Sequence, residues 1–273
     1  MRIIATFPIF PMRSSGTARG WRLAAALVCA MAGPAAAQWL HYPTAGIPRT
    51  PDGKPDLTAP APRTSYGKPD LSGIWKQPNG VKYTVNLAAD HPADFVPMRP
   101  ATAALYKYHQ DTLSKDDPVA RCNMAGVPQE DAVPYPYKIF QSPTEVVILY
   151  EAVRGFRQIF LDGRELPVDP NPTWMGYSIG HWDGDTLVVE TSGFNDKSWL
   201  DSGGHPHSDA LKVTERFHRL DFGHMNLQIT IDDPKDYTKP WTVSYPITLM
   251  PDTSLLEYIC AENNRDLQHI VGK

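Results

Sequence analysis

GYSIGHWDGDTLVVETSGF (Gly176–Phe194) is the stretch whose reading decides the fold class. Asp183-Gly184-Asp185 separates two runs rich in β-branched and aromatic residues. A glycine between two aspartates suits the positive φ of a tight turn, so the stretch predicts an antiparallel hairpin. Upstream, YKIFQS (Tyr137–Ser142), EVVILYE (Glu145–Glu151) and GFRQIFLDG (Gly155–Gly163) predict successive antiparallel strands. Downstream, ALKVTERFHRL (Ala210–Leu220) and HMNLQITID (His224–Asp232) form a second hairpin around Asp221–Gly223. WTVSYPITL (Trp241–Leu249) and SLLEYIC (Ser254–Cys260) read as the last pair. Met225, Leu227, Ile229 and Ile231 alternate with Asn226, Gln228 and Thr230, so one face of that strand is buried and the other wet. About eight strands at this spacing predict a mainly β domain, over residues 101–273, with a first strand near 71–77. An antiparallel closed or nearly closed barrel is favoured over a sandwich, because closure removes exposed strand edges.

The N-terminal residues read differently. Arg2, Arg13, Arg19 and Arg22 precede the apolar LAAALVCAMAG (Leu23–Gly33) and the small-residue AAAQ (Ala35–Gln38). That order is the pattern of a secretory signal over residues 1–37, and the apolar run is too short to span a bilayer. The expected destination is the periplasm or the exterior, with no membrane association after cleavage. Removing four of the 26 basic residues and none of the 30 acidic ones leaves a net charge of −8 with neutral histidines. An acidic chain disfavours nucleic acid and anionic membranes as partners. Cys122 and Cys260 would then meet an oxidising compartment, and one disulfide is the simplest expectation, with two buried free thiols the alternative.

Residues 38–100 are Pro-rich and lack periodicity. DGKPDL (Asp52–Leu57) recurs as YGKPDL (Tyr66–Leu71), and WLHYP (Trp39–Pro43) offers apolar anchors. Proline holds such a segment extended or turned, so an arm wrapping the body is expected, with disorder of Thr44–Ser65 the alternative. RPATAALYKYHQDTLSKDDP (Arg99–Pro118) predicts a helix whose apolar side carries Ala103, Leu105, Tyr106 and Leu113. A shorter helix is expected near Ala261–Gly272.

Gly73-Ile74-Trp75, within PDLSGIW (Pro69–Trp75), resembles the Gly-x-Trp opening of lipocalin-like (calycin) barrels. With PYPYKIFQSP, RQIFLDGR, DPNPTWMGYSIGHWDGDTLVVET and GHPHSDALKVTERF, the chain from Pro69 onward is similar to a family of uncharacterised exported bacterial proteins. The resemblance implies an exported, β-rich, lipocalin-like barrel in which a basic residue, here Arg265, packs on Trp75. It implies no catalytic residue.

Two loops and one strand carry the candidate chemistry. In SGGHPHSDALKVTERFHRL (Ser202–Leu220), Leu211, Val213, Glu215 and Phe217 share the face that must be interior. An inward carboxylate is either paired or raised in pKa, so Glu215 is a candidate acid/base group. The alternative is an ion pair with Arg157 or Arg164. His205 and His207 flank Pro206, and that extended spacing puts both rings on one side, suited to proton transfer or, with His181 or His224, to a metal. Asp209 continues the same phase. In Leu161–Tyr177, Arg164 offers a fork for a carboxylate or diol, and Trp174 a stacking surface or a core plug.

No Gly-x-Ser-x-Gly elbow, His-Glu-x-x-His pair or phosphate-cradling glycine loop occurs. The expectation is a barrel binding a small organic ligand between Leu161–Tyr177 and Asn195–Asp209. Its chemistry would be cofactor-free proton transfer on a sugar or aromatic compound, by a lyase, isomerase or hydrolase. His205, His207 and Glu215 would be catalytic, and Arg164, Trp174, His181 and Asp209 would hold the substrate. The alternatives are a non-catalytic carrier, a metal-dependent enzyme using the His-x-His loop, and a structural or assembly factor with a filled barrel; neither cofactor nor ligand is identified by the residues.

Overall fold

The computed structural model describes residues 42–152 and 155–262. The expected signal segment, Trp39, most of the weaker C-terminal helix and Arg265 lie outside them. Nine strands close into one barrel in chain order. They are β1 (Gly73–Lys76), β2 (Tyr137–Gln141), β3 (Glu145–Tyr150), β4 (Phe156–Phe160) and β5 (Tyr177–Asp183). The series continues with β6 (Thr186–Ser192), β7 (Lys212–Arg219), β8 (His224–Asp232) and β9 (Trp241–Leu249).

The predicted hairpins form as read, with β5 and β6 joined through Gly184 at φ 60°. Closure differs from expectation. Ser254–Cys260 is not a strand; β9 pairs instead with β1, Trp75 opposite Leu249. Gly73 opens β1 at φ 138°, and a Cβ there would lie 2.7 Å from Leu249. Only glycine tolerates that junction.

β4 and β5 are parallel, against the antiparallel expectation, and share two residue pairs, Ile159 with Ser178 and Phe160 with Ile179. A parallel pair requires a long return. The Pro-rich segment 161–176 supplies it, carrying the chain back to the end of the barrel where β4 began.

The arm closes one barrel end. Its two repeats fold alike, and the likeness extends to the Pro-Arg-Thr before each. Thr50 N donates to Lys54 O and Thr64 N to Lys68 O, both at 2.9 Å. Arg49 donates to Gly53 O at 3.1 Å and pairs with Asp252; Arg63 donates to Gly67 O at 2.8 Å and pairs with Asp185. The repeats thus clip to the chain after β9 and to the β5–β6 turn, while Gly223, in the β7–β8 turn, donates to Leu57 O at 2.8 Å.

The opposite end is covered by short helices α1 (Lys82–Val85), α2 (Pro100–Asp111) and α3 (Gln129–Ala132), and by the loop after β6. α2 is shorter than predicted, because Leu113 and Ser114 take positive φ. Its buried face is also different. Thr102 and His109 are buried, whereas Leu105 and Leu113 are exposed, because the helix lies on polar and aromatic loop side chains rather than on aliphatic core. His109 stacks on Trp199 at 4.1 Å, and Tyr106 on His205 at 4.1 Å. Cys122 and Cys260 are joined by a disulfide.

Inside, the alternation predicted for β8 holds, with Met225, Leu227, Ile229 and Ile231 fully buried. The barrel is filled by side chains, but the filling is not uniformly apolar. Arg157, Glu215, Tyr137, Tyr150 and Tyr245 face inward and are buried.

Candidate functional site

Glu215 occupies the interior side of β7, with Val189 beside it on β6 and Ile229 on β8. One-sided burial of β7 dictates this phase. Charge burial requires compensation, and Arg157, inward on β4, supplies it: Nη2 pairs with Glu215 Oε2 and donates to Thr191 Oγ1 at 2.7 Å, and Nε donates to Ser178 Oγ at 3.0 Å. The ion-pair alternative for Glu215 is therefore the contact observed, with Arg157 rather than Arg164.

A second carboxyl reaches the same guanidinium from α3. Asp131 Oδ2 lies 3.7 Å from Arg157 Nη1, and Oδ1 accepts from the Tyr150 hydroxyl at 2.9 Å. Burial holds Asp131 well above the usual carboxylate range, and the neighbouring Glu215 adds to the shift, outweighing Arg157. The cluster is thus a guanidinium–carboxylate pair beside a carboxyl whose neutral form burial favours. Next to it in sequence, Glu130 is buried and pushed up to about 7.

Arg157 and Ser178 have a second surface. A cavity of about 720 Å³ lies under segment 161–176, against the outer side of β4 and β5. Pairing between those strands begins only at Ile159 and Ser178. Ahead of that point Arg157 and Ser178 form the inner wall of the cavity, while Phe156, Phe160, Trp174 and Tyr177 line its outer part. Gly176 brings the loop close to β6: at φ 64°, a Cβ there would lie 2.7 Å from Thr191. Arg164 also lines the cavity, its guanidinium 3.6 Å from the Phe160 ring centre and paired with Asp162 at 2.6 Å. Its fork is engaged by a carboxylate of the same loop.

The histidines lie elsewhere. His205 is buried, and its Nδ1 donates to Asp201 Oδ2 at 2.6 Å. Asp201 also accepts from the amides of Leu87 at 3.0 Å and His205 at 3.2 Å. His207 Nδ1 donates to Ser208 O at 3.0 Å, so Nε2 accepts from the Ser198 hydroxyl at 2.8 Å. Burial lowers the His207 pKa, so the ring stays neutral despite that carbonyl and nearby aspartates. The two rings have separate partners, and neither lines the cavity.

Asp209 is exposed and pairs with Lys235; His181 is exposed on β5. His224 bonds to Asp221 at 2.8 Å. Among the described residues no three His, Cys, Asp or Glu side chains are grouped so as to hold a metal ion.

The structure therefore brings Arg164 and Trp174 together at one cavity, links Glu215 to it through Arg157, and leaves His181, His205, His207 and Asp209 apart. Sequence reasoning missed Asp131, Tyr137, Tyr150 and Tyr245. A signal was present for the first: Glu130 and Asp131 interrupt an otherwise uncharged GVPQEDAVPYPY. The fold and site define a closed, mostly antiparallel β-barrel with a charged interior and an aromatic side cavity. The chain matches no family model, no curated protein and no solved structure.

Proposed function

We propose that the protein is an exported β-barrel that binds a small, ring-bearing organic molecule in the cavity beneath segment 161–176. The observation that carries this reading is the cavity itself. It is large enough for a drug-sized ligand, its outer wall is aromatic, and its inner wall holds Arg157 and Ser178. The aromatic faces suit stacking on a ring, and the few polar groups suit its orientation. Export rests on the residue pattern of the first 37 positions, and the acidic net charge argues for a small molecule rather than nucleic acid.

Carrier action is the reading the geometry supports best, because His205 and His207 already have buried partners and lie off the cavity. A second reading, cofactor-free acid/base chemistry, has one observation in its favour: Asp131, its pKa raised by burial, stands beside the Glu215–Arg157 pair. A carrier returns its ligand unchanged, whereas an enzyme yields a product.

The test uses N-phenyl-1-naphthylamine, a neutral dye that fluoresces in apolar sites. Saturable one-to-one binding that weakens about ten-fold or more in Trp174→Ala is expected, the loss of one stacked ring. Equal binding by both proteins would remove this cavity from consideration.

A further inference from the structure

Arg219, at the arm-closed end of the barrel, is 5% exposed. Its guanidinium donates to three carbonyls, those of Asp70, Asp221 and Phe222, and among the described residues no carboxylate pairs with it. The two aspartates that favour its charge are engaged elsewhere. Asp70 Oδ1 accepts from the Ser72 amide at 2.8 Å, and Asp221 Oδ1 from His224 Nδ1 at 2.8 Å and from the Gly223 amide at 3.0 Å. Burial outweighs both and lowers the Arg219 pKa to about 10, so the group stays charged at neutral pH. Buried charges are ordinarily paired, and this one is held by neutral carbonyls alone.

Arg219 also lines a second pocket, of about 330 Å³, and no residue lines both this pocket and the cavity beneath segment 161–176. Thr44, Ala45 and Gly46 form an exposed rim, so the pocket is reached from solvent. Ile47, Ile74, Leu249 and Met250 supply apolar wall. Its charged lining is Arg219 and Lys138 against Asp70, two cations to one carboxylate. Lys138 stands opposite Ile74 on the outer side of β2, its ammonium 4.8 Å from the Phe140 ring centre, and no described carboxylate pairs with it. An excess positive charge, half of it buried, thus faces a small and largely apolar pocket.

We propose that this pocket binds a small organic monocarboxylate, with its carboxylate on Arg219 and Lys138 and its hydrocarbon part against Ile74 and Leu249. A guanidinium has five N–H groups, and three are given to carbonyls. One remains on each terminal nitrogen, the number that a carboxylate takes side by side. One negative charge balances the lining, whereas a dianion would leave an excess beside Asp70. The volume lies at the small end of the range of about 300–1,000 Å³ for small-molecule sites, which suits a short chain. Arg164 in the other cavity offers no such site, because its fork is already paired with Asp162.

Hexanoate and hexanamide share one chain and differ in the charge of the head, so calorimetric titration of the intact protein with each is the test. Hexanoate is expected to bind about ten-fold or more tighter than hexanamide. Lys138→Glu reverses a charge on the outer side of β2 and should weaken hexanoate about ten-fold or more, with hexanamide unchanged. Lys138→Gln, which only removes the charge, should give a smaller loss in the same direction. Trp174→Ala belongs to the other cavity and should leave hexanoate binding as it is. Hexanoate binding no tighter than hexanamide, or binding indifferent to both Lys138 variants, would overturn the proposal. So would loss of hexanoate binding in folded Trp174→Ala, which would place the anion beneath segment 161–176. The comparison of the two ligands needs no variant, so a misfolded substitution leaves the result readable.

Discussion

The guanidinium of Arg219 lies over Trp75, 4.9 Å from its ring centre, and closes the barrel end that the arm crosses. It also lies 5.2 Å from the Phe222 ring and donates to the carbonyls of Asp70, Asp221 and Phe222. Trp75 is fixed from below, its Nε1 donating to Leu71 O at 2.8 Å. Arg265, the basic residue that the Gly-x-Trp resemblance implied here, lies outside the described residues; among those described, Arg219, from the end of β7, covers this ring. Burial lowers its pKa to about 10, which still leaves it charged at neutral pH. Arg219→Ala would uncover Trp75 and leave three carbonyls without a donor. A loss of about 3 kcal/mol is expected, read as a shifted urea midpoint with an unchanged slope. A loss under about 0.5 kcal/mol would mean that the arm, and not the arginine, seals this end.

Glu130 sets a pH dependence whose sign is fixed. Its pKa is raised from 4.5 to about 7 by burial, with the Ala125 amide opposing. A carboxyl raised on folding favours the protonated native state, so its contribution is complete below about pH 4.5 and is lost as pH rises towards 7. Over that window the loss amounts to about 3 kcal/mol. Asp131 is shifted the same way and adds to the trend. Glu130→Gln should flatten the stability profile between pH 5 and 7, about one unit either side of the midpoint of the change. Denaturant titrations at several pH values decide this, and an unaltered slope in the variant would assign the effect elsewhere.

Period-2 patterning made the strands legible because one face of each is buried. Where the chain was long and Pro-rich between β4 and β5, the same patterning gave no direction, and the parallel pair was missed. That segment nevertheless stood out for its Arg164 and Trp174, and the crossover is what places them on a cavity. β7 alternation put Glu215 inside, but nothing local could bring Asp131 to it, since α3 and β7 are far apart in the chain. The histidines misdirect for a related reason. Spacing can place two rings on one side of an extended segment, yet it says nothing about what covers that segment. Here Asp201, Ser198, Tyr106 and Phe194 do.

Glu215→Gln and Asp131→Asn should behave oppositely. The first removes the nearer negative partner of a guanidinium that is 2% exposed, leaving only Asp131, 3.7 Å away and costly to ionise, to compensate it. A cost of about 3–5 kcal/mol is expected. The second replaces a carboxyl whose neutral form burial favours with a neutral amide of similar shape. Its cost should stay under about 1.5 kcal/mol at pH 7, consistent with one altered hydrogen bond to Tyr150. Greater destabilisation by Asp131→Asn than by Glu215→Gln would place the negative charge on Asp131 instead.

Reduction should loosen the C-terminal segment. The Cys122–Cys260 disulfide spans 138 positions, and the chain-entropy account assigns such a loop about 5 kcal/mol at most. Dithiothreitol is expected to lower the melting temperature of the intact protein and to have no effect on a Cys122→Ser/Cys260→Ser variant. Two free thiols in the native protein by mass spectrometry would dispose of the bridge.

The loop bearing His205 and His207 is expected to fail as structure before it fails as a site. His205→Ala would strip Asp201 of its ring N–H donor and remove the face on which Tyr106 stacks. Asp201 would remain bonded to Leu87 N, but as a buried carboxylate short of a partner. Hydrogen bonds to charged groups contribute about 1.5–3 kcal/mol, and lost packing adds to that. His207→Ala removes a neutral ring bonded at both nitrogens and should cost less, about 2 kcal/mol. Neither residue lines the cavity, so any protein that still folds should bind N-phenyl-1-naphthylamine with unchanged affinity. A folded His205→Ala or His207→Ala protein with native stability and abolished dye binding would contradict the geometry and return the histidines to the site.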